Sequence, residues 1–166
     1  RSRGLGDVYK RQIYRYDNTS KKWQRIKTVK AVSFTDSGLA RAKGYSYKVK
    51  AVKKTGGKEY ISASYSKSVE AVTKPAKASC TAKSADSGSI EVSWKAVGGA
   101  SGYEIYSSSN GSDYVKSAKV GGSQKSAIVS GFEPYSLRMV KVRAYKTVNG
   151  KTSYGAFSQA VMVIVR

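Results

Sequence analysis

The sequence repeats itself at an interval of about ninety residues, and this repeat limits what the chain can fold into. Three segments of the first half recur 92 or 93 residues later, namely 13–14 as 105–106, 49–53 as 142–146 and 64–66 as 156–158. This interval is longer than one solenoid repeat and matches the length of one small domain. The sequence therefore predicts two similar modules in tandem.

The spacing of apolar residues predicts that both modules consist of β-strands. In the second module, apolar and polar residues alternate in short runs between turn-forming residues. The predicted strands are 89–95, 102–107, 113–119, 125–130, 137–146 and 151–165. Tight-turn dipeptides that suit the positive φ angles of hairpins occur at equivalent places, 110–111 and 149–150 in the second module and 17–18 and 56–57 in the first.

One strand of each module divides clearly into a buried and a solvent-facing side. In the second module Val140, Val142 and Ala144 alternate with Lys141 and Arg143. In the first module the predicted inward residues are Tyr45, Tyr47, Val49 and Ala51, and the predicted outward residues are Ser46, Lys48, Lys50 and Val52. A period of two with one basic face predicts an antiparallel sheet that is packed on one side and solvated on the other.

The charge of the chain is strongly positive. Lys and Arg number 31 against 10 Asp and Glu, which gives a formal net charge of +21. A field of this size attracts polyanions such as nucleic acid, wall polymer, acidic glycan or an anionic membrane. Lysines at outward strand positions also keep a β protein soluble and oppose edge-to-edge pairing. The charge therefore leaves both a polyanion partner and a solvated surface open.

The chain lacks the residue types and groupings that enzyme active sites commonly use. The sequence contains no His, which removes the usual general base and the commonest metal ligand. Cys80 is the single cysteine, so no internal disulfide or cysteine metal site is expected. The ten acidic residues, Glu104 among them, are scattered and are interpreted as surface charges. We predict no enzyme activity, no cofactor and no metal site. No apolar run approaches the roughly 18 residues of a membrane-spanning helix.

One surface combines residue types that bind polymers. If the outward positions share a face, the second module places Tyr106, Lys141, Arg143 and Tyr145 together, and the first module places Tyr14, Tyr16, Lys48 and Lys50 at the matching positions. Tyrosine rings stack on sugars or bases, and Lys and Arg hold anionic groups. The alternative is that these long side chains pair across strands and simply cover the sheet. Trp23 and Tyr114 either extend this surface or pack at its edge.

The order of these features resembles a fibronectin type III module, of the lysine- and tyrosine-rich kind found in surface proteins of Gram-positive bacteria. The segment 92–94, Val-Ser-Trp, resembles the family's second-strand tryptophan, and 102–106 resembles its third strand. The segment 131–134 resembles the turn before its sixth strand. The resemblance implies an all-β, immunoglobulin-like antiparallel β-sandwich whose core includes Trp94, Tyr103, Ile105 and Val142, with Tyr45 at the tyrosine-corner position of the first module.

The resemblance also implies a domain division. It covers 76–166 as one complete module and 13–72 as a partial module that lacks its first two strands, with 73–75 as the linker. Residues 1–12 match nothing in the second module; they resemble translated adaptor sequence and are predicted to be unstructured. Loss of the opposite sheet would cost the first module several kcal/mol of burial, at about 25 cal/mol per Å². We therefore expect the chain to be a fragment of a longer protein.

The second module departs from the family pattern at one position. Arg138 stands where the tyrosine corner is expected. A buried, unpaired arginine would be costly, so we expect either a local shift of strand register or an arginine that reaches out to solvent.

The resemblance implies a non-catalytic role in a bacterial protein that is extracellular or attached to the cell wall. Such a module spaces, displays or attaches the neighbouring domains of a longer protein. The alternative is a module that binds an anionic wall polymer or a carbohydrate through the basic, tyrosine-rich face. Elements that read nucleic-acid sequence are not recognisable, so no specific nucleic acid is expected as a partner.

Overall fold

The computed structural model describes residues 8–86 and 88–166, and they form two compact units. The first unit comprises the described residues up to Leu39 together with Gly44–Ala71. The second comprises Ala40–Lys43 and Val72–Arg166. The predicted linker, 73–75, falls within this second unit. These residues form thirteen β-strands, which confirms the predicted all-β class. Within them, no helix is long and apolar enough to cross a membrane.

The described part of the first unit is a five-stranded sheet. Its strands are β1 (Val8–Asp17), β2 (Lys22–Val29), β3 (Gly44–Thr55), β4 (Lys58–Ile61) and β5 (Val69–Val72). The strands lie in the order β2-β1-β3-β4, and β5 also pairs with β3. The central pairing of β1 with β3 is antiparallel and runs without interruption from Val8–Lys54 to Arg15–Tyr47.

Strand β1 begins earlier than the sequence predicts. The segment 1–12 was expected to be unstructured, and 1–7 lies outside the described residues. Residues 8–12 pair with β3, and Gln12 is buried. They extend the sheet because each of them has a partner on β3, from Val8 opposite Lys54 to Gln12 opposite Lys50.

The second unit is a sandwich of two sheets. Its strands are β6 (Cys80–Ser84), β7 (Ser89–Trp94), β8 (Gly102–Ser108), β9 (Val115–Gly121), β10 (Ser126–Ser130), β11 (Leu137–Val148), β12 (Lys151–Tyr154) and β13 (Val161–Ile164). One sheet has the order β10-β7-β6, and the other has the order β12-β11-β8-β9 with β13 also pairing with β11. The pairings within both sheets are antiparallel, as the immunoglobulin-like prediction requires.

The core of the second unit lies between these sheets. Ile90 and Val92 of β7 face Ile105 of β8 and Val142 of β11, and all four are fully buried. Each aliphatic side chain of this kind contributes about 2 kcal/mol. The rings of Trp94 and Tyr103, the largest residues of the core, lie 5.1 Å apart at their centroids. Both side chains also make a polar contact. The indole N–H of Trp94 donates to the carbonyl of Gln124 at 3.1 Å, and the hydroxyl of Tyr103 accepts the N–H of Val97 at 2.7 Å.

A serine joins a return segment to the long strand in the same way in both units. The amide of Ser66 donates to the carbonyl of Val49 at 2.9 Å, and its hydroxyl accepts the amide of Val49 at 3.0 Å. Ser158 makes the equivalent pair of bonds to Val142, at 2.8 and 3.0 Å. The sequence repeat therefore encodes the same backbone connection twice.

The last predicted strand, 151–165, is wrong as one element, because it is divided into β12 and β13. Gly155 lies between them and its amide still donates to the carbonyl of Ala144 at 2.9 Å. A Cβ atom at this glycine would come within 2.9 Å of the carbonyl oxygen of Ala76. The chain leaves the sheet at this close approach and rejoins it at Val161.

The predicted exposures of Ala51 and Val52 on β3 are reversed, although the uninterrupted register keeps both residues on the sides that alternation predicts. Ala51 was expected to be inward and Val52 outward, but Ala51 is exposed and Val52 is fully buried. The equivalent of Ala51 in the second unit, Ala144, is fully buried beneath the opposite sheet. Among the described residues of the first unit, no second sheet covers the side that carries Ala51. Long side chains cover the other side, which carries Val52.

Arg138 fits neither of the two expectations for it. The pairing of β11 with β13 continues through Arg138 and Val163, so the register does not shift. The side chain is half-buried, with its guanidinium carbon 5.0 Å from the centre of the Phe132 ring. Its Nε is buried and makes no hydrogen bond to the described residues. Stacking on the ring therefore takes the place of the expected solvation.

The Tyr103 hydroxyl gives a test of this core. In a Tyr103→Phe variant the amide of Val97 loses its acceptor, which we expect to lower the free energy of unfolding of the second unit by about 1–3 kcal/mol. Urea denaturation followed through resolved amide signals of this unit measures the change. Tyr135→Phe is the matched control, because Tyr135 is 86% exposed and its change should be close to zero. Equal stability of the two variants would contradict a structural role for the Tyr103 hydroxyl.

Candidate functional site

The four residues predicted to form a binding face in the second unit do lie on one side of its larger sheet. In the β8–β11 register Tyr106 is opposite Lys141, Glu104 is opposite Arg143 and Gly102 is opposite Tyr145. Directly opposed residues point to the same side of a sheet. We call this side, with the rings of Tyr114, Tyr154 and Phe157 that lie over it, the second outer face.

A buried carboxylate organises the centre of the second outer face. Only 1% of Glu104 is exposed. Its Oε2 accepts bonds from Nε and Nη2 of Arg143 at 3.0 and 2.8 Å and from the hydroxyl of Tyr106 at 3.2 Å. Its Oε1 accepts the ammonium of Lys116 at 3.3 Å. Both carboxylate oxygens are therefore satisfied by cations of neighbouring strands.

The charge state of Glu104 follows from these contacts. Burial raises the pKa of its carboxyl, but the hydrogen bonds and charges of Arg143 and Lys116 outweigh burial and hold the pKa below its ordinary value. Glu104 is thus ionised at neutral pH. The earlier interpretation of this residue as a surface charge is wrong.

The cations of the second outer face lie on its aromatic rings. The ammonium of Lys141 is 3.4 Å from the centre of the Tyr114 ring and 4.5 Å from that of Phe157. The guanidinium carbon of Arg143 is 4.1 Å from the centre of Tyr154 and 4.9 Å from that of Phe157. These distances are within the range of cation–π attraction.

Tyr145 occupies a place that only a glycine opposite it leaves open. A Cβ atom on Gly102 would overlap the ring and hydroxyl of Tyr145 and the carbonyl of Val120. The hydroxyl end of the ring therefore lies against the backbone of β8 at Gly102. The ammonium of Lys119 is 4.6 Å from its centre.

The first unit carries the same arrangement. In the β1–β3 register Tyr14 is opposite Lys48, and Lys50 is opposite Gln12 on the same side. Tyr16 pairs with Trp23 of β2, and the two rings are 5.3 Å apart. The four predicted residues Tyr14, Tyr16, Lys48 and Lys50 thus share one side of the sheet, which we call the first outer face together with the rings of Trp23 and Tyr65.

Lysines also lie on rings in the first outer face. The ammonium of Lys48 is 4.6 Å from the centre of the Trp23 ring, and that of Lys50 is 4.5 Å from the centre of Tyr65. Lys50 also donates to the carbonyl of Ala63 at 3.0 Å. Trp23 here and Tyr114 in the second unit therefore extend the two faces.

The two outer faces share one geometry with different chemistry at the centre. The rings of Tyr14 and Tyr65 meet edge to face at 5.0 Å, and those of Tyr106 and Phe157 do the same at 5.0 Å. The hydroxyl of Tyr14 donates to the side-chain carbonyl of Gln12 at 2.7 Å, in the position where Tyr106 donates to Glu104. A neutral amide in the first unit thus replaces the carboxylate of the second.

This geometry limits what the outer faces can bind. A sugar or base stacks on an uncovered ring, whereas the rings closest to the predicted lysines and to Arg143 are already stacked with cations of the same chain. Displacing such a cation costs about 0.5–2 kcal/mol. The ammonium groups keep their charge and still attract anions. The rings nearest to these cations are therefore already in contact with groups of the same chain.

Sequence reasoning missed the residues at the centre of both faces. Tyr65 and Phe157 stand in a repeated segment, and that repetition was the available signal for a shared role. Gln12 was set aside with the segment ahead of the predicted module. Tyr45, a predicted core residue, is half-buried, and the guanidinium of Arg15 lies 5.7 Å from the centre of its ring. Across residues 8–86 and 88–166, no group of three or more Cys, Asp or Glu side chains is placed to hold a metal ion.

Comparison with protein families and with curated proteins found no match. Solved structures are similar in fold. Fibronectin type III domains 1–3 of chicken CNTN1 match at a TM-score of 0.55 and 18% identity, covering 97% of this chain and 57% of that one. A two-domain fibronectin type III segment of chicken tenascin matches at 0.54 and 14% identity, covering 99% of this chain and 87% of that one. The predicted fibronectin type III fold is therefore confirmed.

The ion pair between Glu104 and Arg143 gives a pH-dependent test of this carboxylate. Because the folded-state pKa of Glu104 is depressed, its contribution is present above the unfolded pKa of about 4.3 and is lost as the pH falls through the lower folded value. We expect Glu104→Gln to lower the free energy of unfolding of the second unit at pH 7 by about 1.5–3 kcal/mol. Below pH 4 the difference should shrink. Urea denaturation between pH 3 and 7, read from amide signals of the second unit, measures both.

Glu91→Gln is the control for that experiment. Glu91 forms an ion pair with Lys83, whose side chain is 75% exposed. Removing this ion pair should lower the free energy of unfolding by only about 0–1 kcal/mol. A Glu104→Gln effect that is no larger than this, or that does not change with pH, would contradict the role of the carboxylate.

Proposed function

We propose that this chain is a non-catalytic segment that spaces or displays neighbouring domains of a longer bacterial protein, secreted or attached to the cell surface. The fibronectin type III fold supports a module for display or binding without chemistry of its own. The bacterial surface setting rests on the resemblance of the lysine- and tyrosine-rich sequence.

One observation favours spacing over recognition. The groups that a binding face would offer to a ligand already satisfy one another. Arg143 is held by Glu104, and the ring of Tyr154 lies on its other side. Lys48 and Lys141 lie on Trp23 and Tyr114. Such a face stays folded and soluble without a ligand, which is what a spacer between domains requires.

Titration of the full chain with three polymers tests this function. The probes are a polyglycerol phosphate wall polymer, neutral dextran and duplex DNA. A spacer with a merely cationic surface should bind both polyanions at about 0.01 M salt and lose both at about 0.15 M, because screening shortens from about 30 Å to about 8 Å. Dextran should not bind at either salt concentration. Binding to one polymer that persists at the higher salt concentration would contradict the spacer function.

A second candidate is a module that binds an anionic wall polymer. The observation that favours it is the repetition of cations at equivalent places, since Lys48 corresponds to Lys141 and Lys50 to Arg143. Successive outward residues on one strand are about 7 Å apart. A row of cations at this interval suits a chain of regularly spaced anionic groups.

A pair of charge-matched variants separates the two candidates. For a binding module, Lys48→Gln with Lys141→Gln should weaken binding of the polyglycerol phosphate polymer at least tenfold, about 1.4 kcal/mol, at about 0.15 M salt. The control is Lys27→Gln with Lys125→Gln, which removes two exposed charges elsewhere, again one from each unit. Equal losses in the two double variants would mean that only total charge matters and would contradict the binding module.

A further inference from the structure

The outer side of β11 changes from apolar to basic along its length. The cations of the second outer face begin at Lys141, whereas the two outward residues before it on the strand, Leu137 and Met139, are apolar. In the β11–β13 register Leu137 is opposite Ile164, and Met139 is opposite Met162. Directly opposed residues point to the same side of a sheet. These four side chains therefore form one group, which we call the apolar patch.

The apolar patch is open to solvent although the sandwich beneath it is complete. Met162 is 65% exposed, Ile164 is 63% exposed and Leu137 is 44% exposed. The residue that follows Ile164, Val165, points to the opposite side and is fully buried in the core. Single exposed apolar residues are common on protein surfaces, whereas a contiguous group of them marks an interaction surface.

The internal repeat shows that the fold does not require this patch. Strand β5 pairs with β3 in the first unit as β13 pairs with β11 in the second. At the steps of 92 and 93 residues that relate these strands, Ser46 stands in place of Met139 and Glu70 stands in place of Met162. Both methionines of the chain lie in the patch. The apolar residues are thus particular to the second unit.

Backbone hydrogen bonds hold an exposed tyrosine at the edge of the patch. The amide of Tyr135 donates to the carbonyl of Val165 at 2.7 Å, and the amide of Val165 donates to the carbonyl of Ser136 at 3.0 Å. These bonds continue the pairing of β11 with β13 into the preceding turn. Tyr135 is 86% exposed. Tyrosine is one of the two residue types that collect at the boundary between lipid headgroups and hydrocarbon.

Charge restricts what can cover the patch. Residues 40–43 and 72–166 contain fifteen basic and five acidic side chains, a net charge of +10. Two copies that met through this surface would repel each other. Lys141 adjoins the patch on the same strand, and Arg166, which is exposed, follows β13. The carboxylate of Glu104 on this side is already held by cations of the same unit. An anionic occupant is therefore favoured.

An anionic lipid bilayer combines negative charge with an apolar phase. Its headgroups attract Lys and Arg near the surface, and its hydrocarbon accepts aliphatic side chains without hydrogen bonds. A specific protein interface instead carries about one hydrogen bond for each 100–200 Å². The side chains of Leu, Met and Ile have no hydrogen-bond donor, so the patch matches lipid better than it matches a protein.

We infer that the second unit docks on the surface of an anionic phospholipid bilayer. The apolar patch enters the boundary between headgroups and hydrocarbon, and Lys141 faces the lipid phosphates. This site is independent of the proposed spacer function. Failure of docking would leave that function standing, because the polymers that test it contain no hydrocarbon phase.

Flotation of the full chain with lipid vesicles tests the inference. The probes are vesicles of phosphatidylcholine with about 30% phosphatidylglycerol, and vesicles of phosphatidylcholine alone. At about 0.15 M salt, where screening acts beyond about 8 Å, the chain should float with the anionic vesicles. Binding to the neutral vesicles should be weaker by about tenfold or more.

Two double variants locate the contact. Met162→Ser with Ile164→Ser removes apolar side chains without a change of charge and should weaken binding to the anionic vesicles by about tenfold or more. The control is Val115→Ser with Ile128→Ser. These positions lie elsewhere in the second unit and are 67% and 63% exposed, so the control should bind like the unchanged chain. Amide spectra of both variants check that the fold is kept.

A fluorescent label separates insertion from adsorption of a basic chain. In a Cys80→Ser background, Ile164→Cys is labelled with nitrobenzoxadiazole, whose emission rises when it leaves water. We expect this rise on addition of the anionic vesicles. The same label at Ile128→Cys should show no rise, because Ile128 lies on the smaller sheet. This measurement does not depend on a weakened variant.

Three results would overturn the inference. Absence of flotation with the anionic vesicles would do so and would indicate a protein as the occupant of the patch. Equal flotation of the two double variants, or equal emission from the two labels, would mean that charge alone adsorbs the chain. A dimer in sedimentation that Met162→Ser with Ile164→Ser dissociates would also overturn it, because the occupant would then be a second copy.

Discussion

A β-sheet with one apolar side needs a second layer, and this constraint governs both units. In the second unit β7 supplies that layer, and Val142 is fully buried beneath it. In the first unit the same position, Val49, lines an open groove. The reversal of exposure at Ala51 follows from the same cause, since a small side chain on an uncovered side has nothing to be buried under.

The outer sides are stabilised by a different means. They are rich in cations, and a sheet of like charges would repel itself. Stacking each cation on a ring reduces that cost, because the ring offers negative potential and the long side chain covers apolar surface. The buried carboxylate of Glu104 holds the guanidinium of Arg143, and the rings of Tyr154 and Phe157 lie against that guanidinium.

Much of the fold could be predicted because it depends on local pattern and on repetition. The alternation through Val140, Val142 and Ala144 reported the correct buried side of β11, where a full sandwich exists. The same reasoning was wrong at Val52, because periodicity reports which residues share a side and not which side is covered. Glu104 was misread for a related reason: its burial depends on Arg143, 39 residues away in sequence.

The candidate site shows a second limit of sequence reasoning. The shared outer sides of Tyr106 and Lys141 follow from strand register, which alternation predicts. The ammonium of Lys141 is already in contact with the rings of Tyr114 and Phe157. Both rings reach the face from irregular segments of the chain. Such segments have no period, so alternation left Tyr114 either on the face or at its edge, and only the repeat of 64–66 as 156–158 pointed to Phe157.

The difference between Gln12 and Glu104 separates the two outer faces electrostatically. Each residue accepts the hydroxyl of the neighbouring tyrosine, so the hydrogen-bonding framework does not require a charge. In the second unit the carboxylate neutralises part of the charge of Arg143, whereas in the first Lys50 lies beside a neutral amide and donates to a carbonyl. The centre of the first outer face therefore has no anion to offset its lysines, whereas the carboxylate of Glu104 offsets part of the charge of Arg143 and Lys116 in the second.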